Sequence, residues 1–109
     1  MPAGGYFGRA LVCDVGDRAA ESAPLPLADD VLRAYLGGVG LGTWLLHRLA
    51  PPGIDPLAPE APLAFVFSPL VGTPLTTSAK FAVLAKSPLT GLLTDALASS
   101  RFAIAGKLT

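Results

Sequence analysis

One phrase occurs twice in this chain. Ser68-Pro69-Leu70-Val71-Gly72 returns further along as Ser87-Pro88-Leu89-Thr90-Gly91. Each copy follows a short apolar run rich in β-branched and aromatic residues, 63–67 in the first case and 81–85 in the second. Proline fixes φ and glycine permits φ > 0, so both loops are shaped rather than floppy. The pattern reads strand, shaped loop, strand, shaped loop. Such loops at strand ends are good places to hold a large ligand.

The rest of the chain is organised around that pair. Residues 6–15 alternate, with Leu11, Cys13 and Val15 on one face. Gly16-Asp17 is a turn signal, 18–23 reads as a return strand, and Pro24 and Pro26 end it. Asp29 is placed to cap a helix carrying Val31, Leu32, Tyr35 and Leu36, which Gly37-Gly38 stops. A second helix is expected from about 40 to 49, with Leu41, Trp44, Leu45 and Leu49 on its apolar side and Pro51-Pro52 at its end. Residues 51–62 form a proline-rich surface connector. Strands follow at 63–67 and 80–85. Residues 92–98 read as a third strand or as a helix, and 102–108 as a short helix.

Composition narrows the function. The chain has 109 residues, one small domain or part of a larger one. It is 51% hydrophobic and 15% charged, against about 25% charged residues in an average soluble domain. Part of its apolar surface is therefore expected to meet protein outside these residues. The abrupt stop at Thr109 points the same way, to a fragment. The formal net charge is zero, so the clustered basic face of a nucleic-acid binder is missing. Pro62, Pro69, Pro74 and Pro88 interrupt the apolar stretches, and a membrane span needs about 20 apolar residues in a row. Met1-Pro2-Ala3-Gly4-Gly5 lacks the basic head and apolar run of a secretory signal, which points to the cytoplasm. Cys13 is the one cysteine, so no internal disulfide and no multi-cysteine metal site is expected. Mid-strand, it is expected to be buried as a small hydrophobe.

Most candidate motifs weaken on inspection. Gly37-Gly38-Val39-Gly40-Leu41-Gly42 has Thr43 where a dinucleotide-binding phrase needs its third glycine, and a helix precedes it rather than a strand. It reads instead as a helix–turn–helix corner. His47 is the only histidine and falls on the polar side of its helix, so no nucleophile–base set and no catalytic residue can be assigned. Lys80, Lys86, Arg101 and Lys107 gather in the last part of the chain among Ser78, Ser87, Thr90, Thr94, Ser99 and Ser100. That mixture suits a phosphate or another anionic group, or else a set of solvated strand-end charges.

Five phrases together carry a resemblance. Lys86-Ser87-Pro88-Leu89-Thr90-Gly91 reproduces a signature of the tungsten-containing aldehyde ferredoxin oxidoreductases. Pro69-Leu70-Val71-Gly72-Thr73-Pro74 is similar to another, with Val71 for the usual threonine. The Leu36-to-Gly42 stretch looks like the family's glycine phrase with Val39 where arginine is common. The segment from Pro52 to Glu60 resembles its proline-rich connector, and Gly8-Arg9 with the strand after it fits the family's start. Order and spacing agree over nearly the whole chain.

The resemblance implies an α+β fold, a mixed β-sheet with short helices, forming the first half of an N-terminal domain that carries a tungsten (or molybdenum) bis-pterin. Pterin sulfurs bind that metal, so no protein metal ligand is implied here. The [4Fe-4S] cluster is implied to belong to later domains, the substrate to be a small aldehyde and the electron acceptor to be ferredoxin-like. The remainder of the polypeptide is an implied partner, and a homo-oligomer is left open. Cofactor contacts carry over to Lys80, where the family has a pterin-binding arginine. They carry over also to Leu97, Ala98, Ser99 and Ser100, in place of an Asn-Ser-Gly-Gly stretch whose backbone touches the cofactor. Lysine keeps the charge but loses the planar fork of arginine. Lys107 matches a lysine on the helix that follows. These departures also support a second reading, a non-catalytic binding or assembly module that keeps the scaffold without the cofactor.

Overall fold

A computed structural model describes residues 5–24 and 27–108. Five strands and three helices make an α+β arrangement. Strands β1 (Arg9–Asp14) and β2 (Ala19–Pro24) pair antiparallel as an isolated hairpin. Helices α1 (Asp29–Tyr35) and α2 (Gly38–Leu49) follow. Strands β3 (Ala64–Phe67), β4 (Lys80–Lys86) and β5 (Leu93–Ser99) form a second sheet in that order, both pairings antiparallel, and α3 (Arg101–Leu108) completes the described chain. Residues 93–99 thus take the strand alternative. Pro26, expected to end β2, lies outside the described residues.

The corner between α1 and α2 shows why the glycine phrase sits where it does. Leu36 closes α1 in the left-handed region (φ 54°), and its N–H bonds the Leu32 carbonyl at 3.1 Å. Gly37, at φ 71°, caps α2, and a Cβ there would collide with the carbonyl of Phe67 and the ring of Pro69. Glycine is therefore needed both for the dihedral and for the close approach. The cap of α1 departs from expectation. Ala28 occupies it, and Asp29 with Asp30 forms the first turn instead, where acidic side chains favour the positive end of the helix dipole.

The core lies between the helices and one face of β3–β4. Leu32, Leu41 and Leu46 meet Val66, Ala82 and Leu84 there, and Leu84 is fully buried. Period-two alternation accounts for the choice, since Ala82 and Leu84 point to the helices while Phe81 and Val83 point away. Gly42 brings α2 onto β4, because a side chain there would strike the Leu84 methyls. Tyr6 ties the entry segment to this core through a 3.0 Å hydrogen bond from its hydroxyl to the Leu32 carbonyl.

The opposite face of the sheet carries an aromatic cluster. Phe65, Phe67 and Phe81 gather around Phe102 of α3, the closest pair being Phe81 and Phe102 at 5.0 Å between ring centres. Phe65 and Phe102 stay half exposed. The hairpin is barer still, with Leu11, Val12 and Val15 open to solvent. Cys13 is exposed rather than buried. Alternation assigns residues to faces, but burial requires something to pack on, and no described element covers that hairpin. No helix among the described residues is long and apolar enough to cross a membrane.

Candidate functional site

The antiparallel register places Lys80, the first residue of β4, directly opposite Ser99, the last of β5. The chain then turns at Ser100 into α3. The Ser100 N–H donates to the Ala79 carbonyl at 3.2 Å, and its Oγ accepts from the Phe102 N–H at 3.1 Å, so Ser100 both closes the sheet and caps α3. Between these elements lies an open cleft of about 410 Å³ lined by Thr77, Ala79, Lys80, Ser99 and Ser100.

The lining of the cleft is largely apolar, with polar groups of a kind that suit an anion at its edge. Its residues carry one ammonium, the hydroxyls of Ser99 and Ser100 and that of Thr77, whose proton is already donated to a backbone carbonyl, and the N-terminus of α3 adjoins it. The Lys80 ammonium has no partner among the described residues. Thr77 is a β-branched residue held in the left-handed region at φ 59°, a conformation that costs energy and recurs at ligand-holding positions. Its hydroxyl donates to the Thr76 carbonyl at 2.6 Å. Among the described residues no group of histidine, cysteine, aspartate or glutamate side chains is arranged to hold a metal ion.

The structure divides the residues that the sequence grouped together. Lys80, Ser99 and Ser100 share the cleft. Leu97 lies opposite Ala82, on the same sheet face as Lys80, and is 66% exposed. Ala98 lies opposite Phe81, so its side chain is on the aromatic face and only its backbone is available to a ligand of the cleft. The four cations separate in the same way. Lys86 donates to the Ile54 carbonyl at 2.6 Å and pins the proline-rich connector. Lys107 donates to the carbonyls of Ser68, Pro69 and Val71 at 3.0, 2.9 and 2.8 Å. Burial draws the Lys107 pKa below its ordinary value, while the three carbonyls favour the charged form. Arg101 is an exposed residue in the first turn of α3. Sequence spacing could not separate a cation aimed at a ligand from one spent on backbone carbonyls.

Thr77 and Ala79 were missed. The available signal was the run 73–79, which joins two strands and is dense in threonine and serine, as segments that bond their own backbone often are. The two repeated loops also part company. Antiparallel pairing puts 68–72 at the cleft end of the sheet, whereas 87–91 joins β4 to β5 at the far end.

The fold agrees with the comparisons. The family model for the aldehyde ferredoxin oxidoreductase N-terminal domain matches residues 10–109. The chain belongs to that family of oxidoreductases. It is 33% identical over 98 residues to the tungsten-containing aldehyde ferredoxin oxidoreductase of Pyrococcus horikoshii, covering 90% of this chain and 16% of the relative. With the enzyme of that name from Pyrococcus furiosus it shares 38% identity over 74 residues, 68% of this chain and 12% of the relative. A solved structure of the active-site complex BamBC of benzoyl coenzyme A reductase with 1,5 dienoyl-CoA superposes with a TM-score of 0.78. It is 29% identical and covers 85% of this chain and 14% of that one. The chain thus spans about a sixth of the length of the curated relatives it matches.

Proposed function

We propose that this chain forms part of the cofactor-binding base of an oxidoreductase that converts an aldehyde to a carboxylic acid, with Lys80 and the segment 97–100 facing a tungsten (or molybdenum) bis-pterin. The observation that carries the reading is the meeting of Lys80, Ser99, Ser100 and the α3 N-terminus in one cleft. The residues present fit such a group at its anionic periphery. Lys80 supplies charge, Ser99 and Ser100 supply hydroxyls, and the backbone of 97–100 supplies uncharged polar contacts. The metal–pterin unit, when bound, supplies the two-electron chemistry. The share of this chain is to hold the unit, orient it and neutralise its charge. No residue here is assigned a proton-transfer role.

The same reading includes a [4Fe-4S] cluster held by later domains, a ferredoxin-like acceptor, the remainder of the polypeptide as partner and a cytoplasmic site of action. The second reading, a non-catalytic scaffold, is favoured by one observation. Leu97 puts an exposed apolar side chain on the cleft-bearing face. Metal content separates the two. Lys80→Ala should lower tungsten occupancy under limiting cofactor by roughly tenfold, the scale of a charge-assisted contact. Arg48→Ala should leave it unchanged, since that guanidinium lies over the Trp44 ring, 4.9 Å from its centre. Equal metal content in wild type and both variants, measured by mass spectrometry, would favour the scaffold.

A further inference from the structure

The Lys107 ammonium sits in a cage of carbonyls. Its three N–H donors go to Ser68, Pro69 and Val71, and the Phe7 ring faces it at 5.2 Å. Every donor of the group is thereby used inside the protein. Three carbonyl oxygens of one tight turn converging on one point repel each other unless positive charge stands between them. The turn itself does not require the cation. Loop 87–91 repeats the serine Oγ bond, with its backbone closing one residue later, and no lysine or arginine side chain among the described residues bonds its carbonyls.

What the cation adds is a tie between the two walls of the cleft. One wall is Ser100, the cap of α3. The other is Thr77 and Ala79, at the end of the segment that starts in the caged turn. α3 is fastened to that segment at both ends, through Ser100 N–H to the Ala79 carbonyl and through Lys107 to 68–71. Between them, Gly106 lies so close to the Phe67 ring that a side chain there would collide with it.

We infer that Lys107 is a positioning residue of the cleft. Its caged ammonium sets how α3 and the 68–79 segment stand relative to each other, and through them the grip of the cleft on an anionic group, without touching that group. The inference rests on the reading of the cleft as an anion site.

The test uses the 109-residue chain, inorganic phosphate as the probe and two readouts: amide hydrogen exchange of residues 69–75 and phosphate affinity. In Lys107→Ala, exchange of 69–75 should quicken by about tenfold or more, as expected when charge-assisted bonds holding a turn are lost. Phosphate binding should weaken with it. n-Propylammonium, the fragment that the variant lacks, should restore both, measured against wild type in the same salt, and n-propanol should restore neither. Lys107→Arg should keep most of the protection. Unchanged exchange in Lys107→Ala, equal rescue by n-propanol, or faster exchange with unaltered phosphate affinity would each overturn the inference. Lys80→Ala separates the two levels. If it weakens phosphate while Lys107→Ala does not, the positioning role falls alone. If wild type and Lys80→Ala bind phosphate equally, or wild type does not bind it, the anion reading falls and takes the positioning role with it.

Discussion

The two serine–proline loops open alike and close differently: the Val71 N–H returns to the Ser68 carbonyl at 3.1 Å, whereas it is the Gly91 N–H that returns to the Ser87 carbonyl, at 2.8 Å. In both, a serine Oγ accepts the N–H two residues on, Leu70 to Ser68 at 3.1 Å and Leu89 to Ser87 at 3.2 Å. In both, the closing glycine has positive φ, 84° at Gly72 and 73° at Gly91. Beyond that they diverge. Val71 is 2% exposed, Pro69 packs against Gly5, and the carbonyls of the turn hold Lys107. Leu89 is 92% exposed, and Thr90 is open to solvent. Local sequence sets the serine bond that opens each turn. What surrounds it is decided by which end of the sheet it occupies. The 68–72 loop meets α3 and the entry segment, while 87–91 only closes a hairpin, with the Ser87 N–H on the Leu92 carbonyl at 2.7 Å.

Substitutions at matched positions put this contrast at risk. The largest difference is expected at the fourth residue. Val71→Asp buries an unpaired carboxylate and should cost about 3–5 kcal/mol in denaturant unfolding. Thr90→Asp, on the solvated copy, should stay within about 0.5 kcal/mol. Comparable losses at both sites would erase the distinction drawn between a packed and an open loop. Next come the glycines. An added Cβ meets nothing within 4 Å at Gly72 or at Gly91. Gly72→Ala and Gly91→Ala should therefore cost the same, about 1–2 kcal/mol each, from the backbone conformation alone. A gap between the two larger than that cost would mean that the two backbone closures, at Val71 and at Gly91, strain their glycines differently. The smallest effects belong to the serines. Ser68→Ala removes one solvent-exposed turn bond and Ser87→Ala two that share an acceptor, and each should lower stability by about 0.5–1.5 kcal/mol. Thermal melts resolve such values, since about 1 kcal/mol moves Tm by roughly 4–8 °C in a domain of this size.

Much of the fold was legible because it is written in short-range chemistry. The hairpin, the helix–turn–helix corner and the strands at 64–67 and 80–86 all follow from periodicity and from glycine and proline punctuation. Residues 93–99 were ambiguous between strand and helix. They became a strand because β4 offered an unpaired edge whose register matches them residue for residue. The site was legible only in part. Lys80, Ser99 and Ser100 emerged together from family spacing, and the sheet brings them together in space. Ala98 belongs with them only through its backbone, since a strand turns alternate side chains to opposite faces and its own lies on the aromatic side. Cys13 was misjudged for a related reason, since an alternating pattern shows which residues share a face and not whether that face is covered.

By itself the sequence determined the local conformations: where strands start and stop, which serine folds back on which N–H, and where a helix must end. Those outcomes depend on groups a few residues apart, so neighbouring residue types suffice to specify them. Only the tertiary structure decided how the four cations are spent. Lys86 went to the connector, Lys107 to the turn at 68–71, Arg101 to solvent and Lys80 to the cleft. All four carry the same kind of charge on a long flexible stem. What separates them is the register of β4 against β5 and the placing of α3 across the sheet, which bring backbone carbonyls within reach of two ammonium groups and leave Lys80 facing the open cleft.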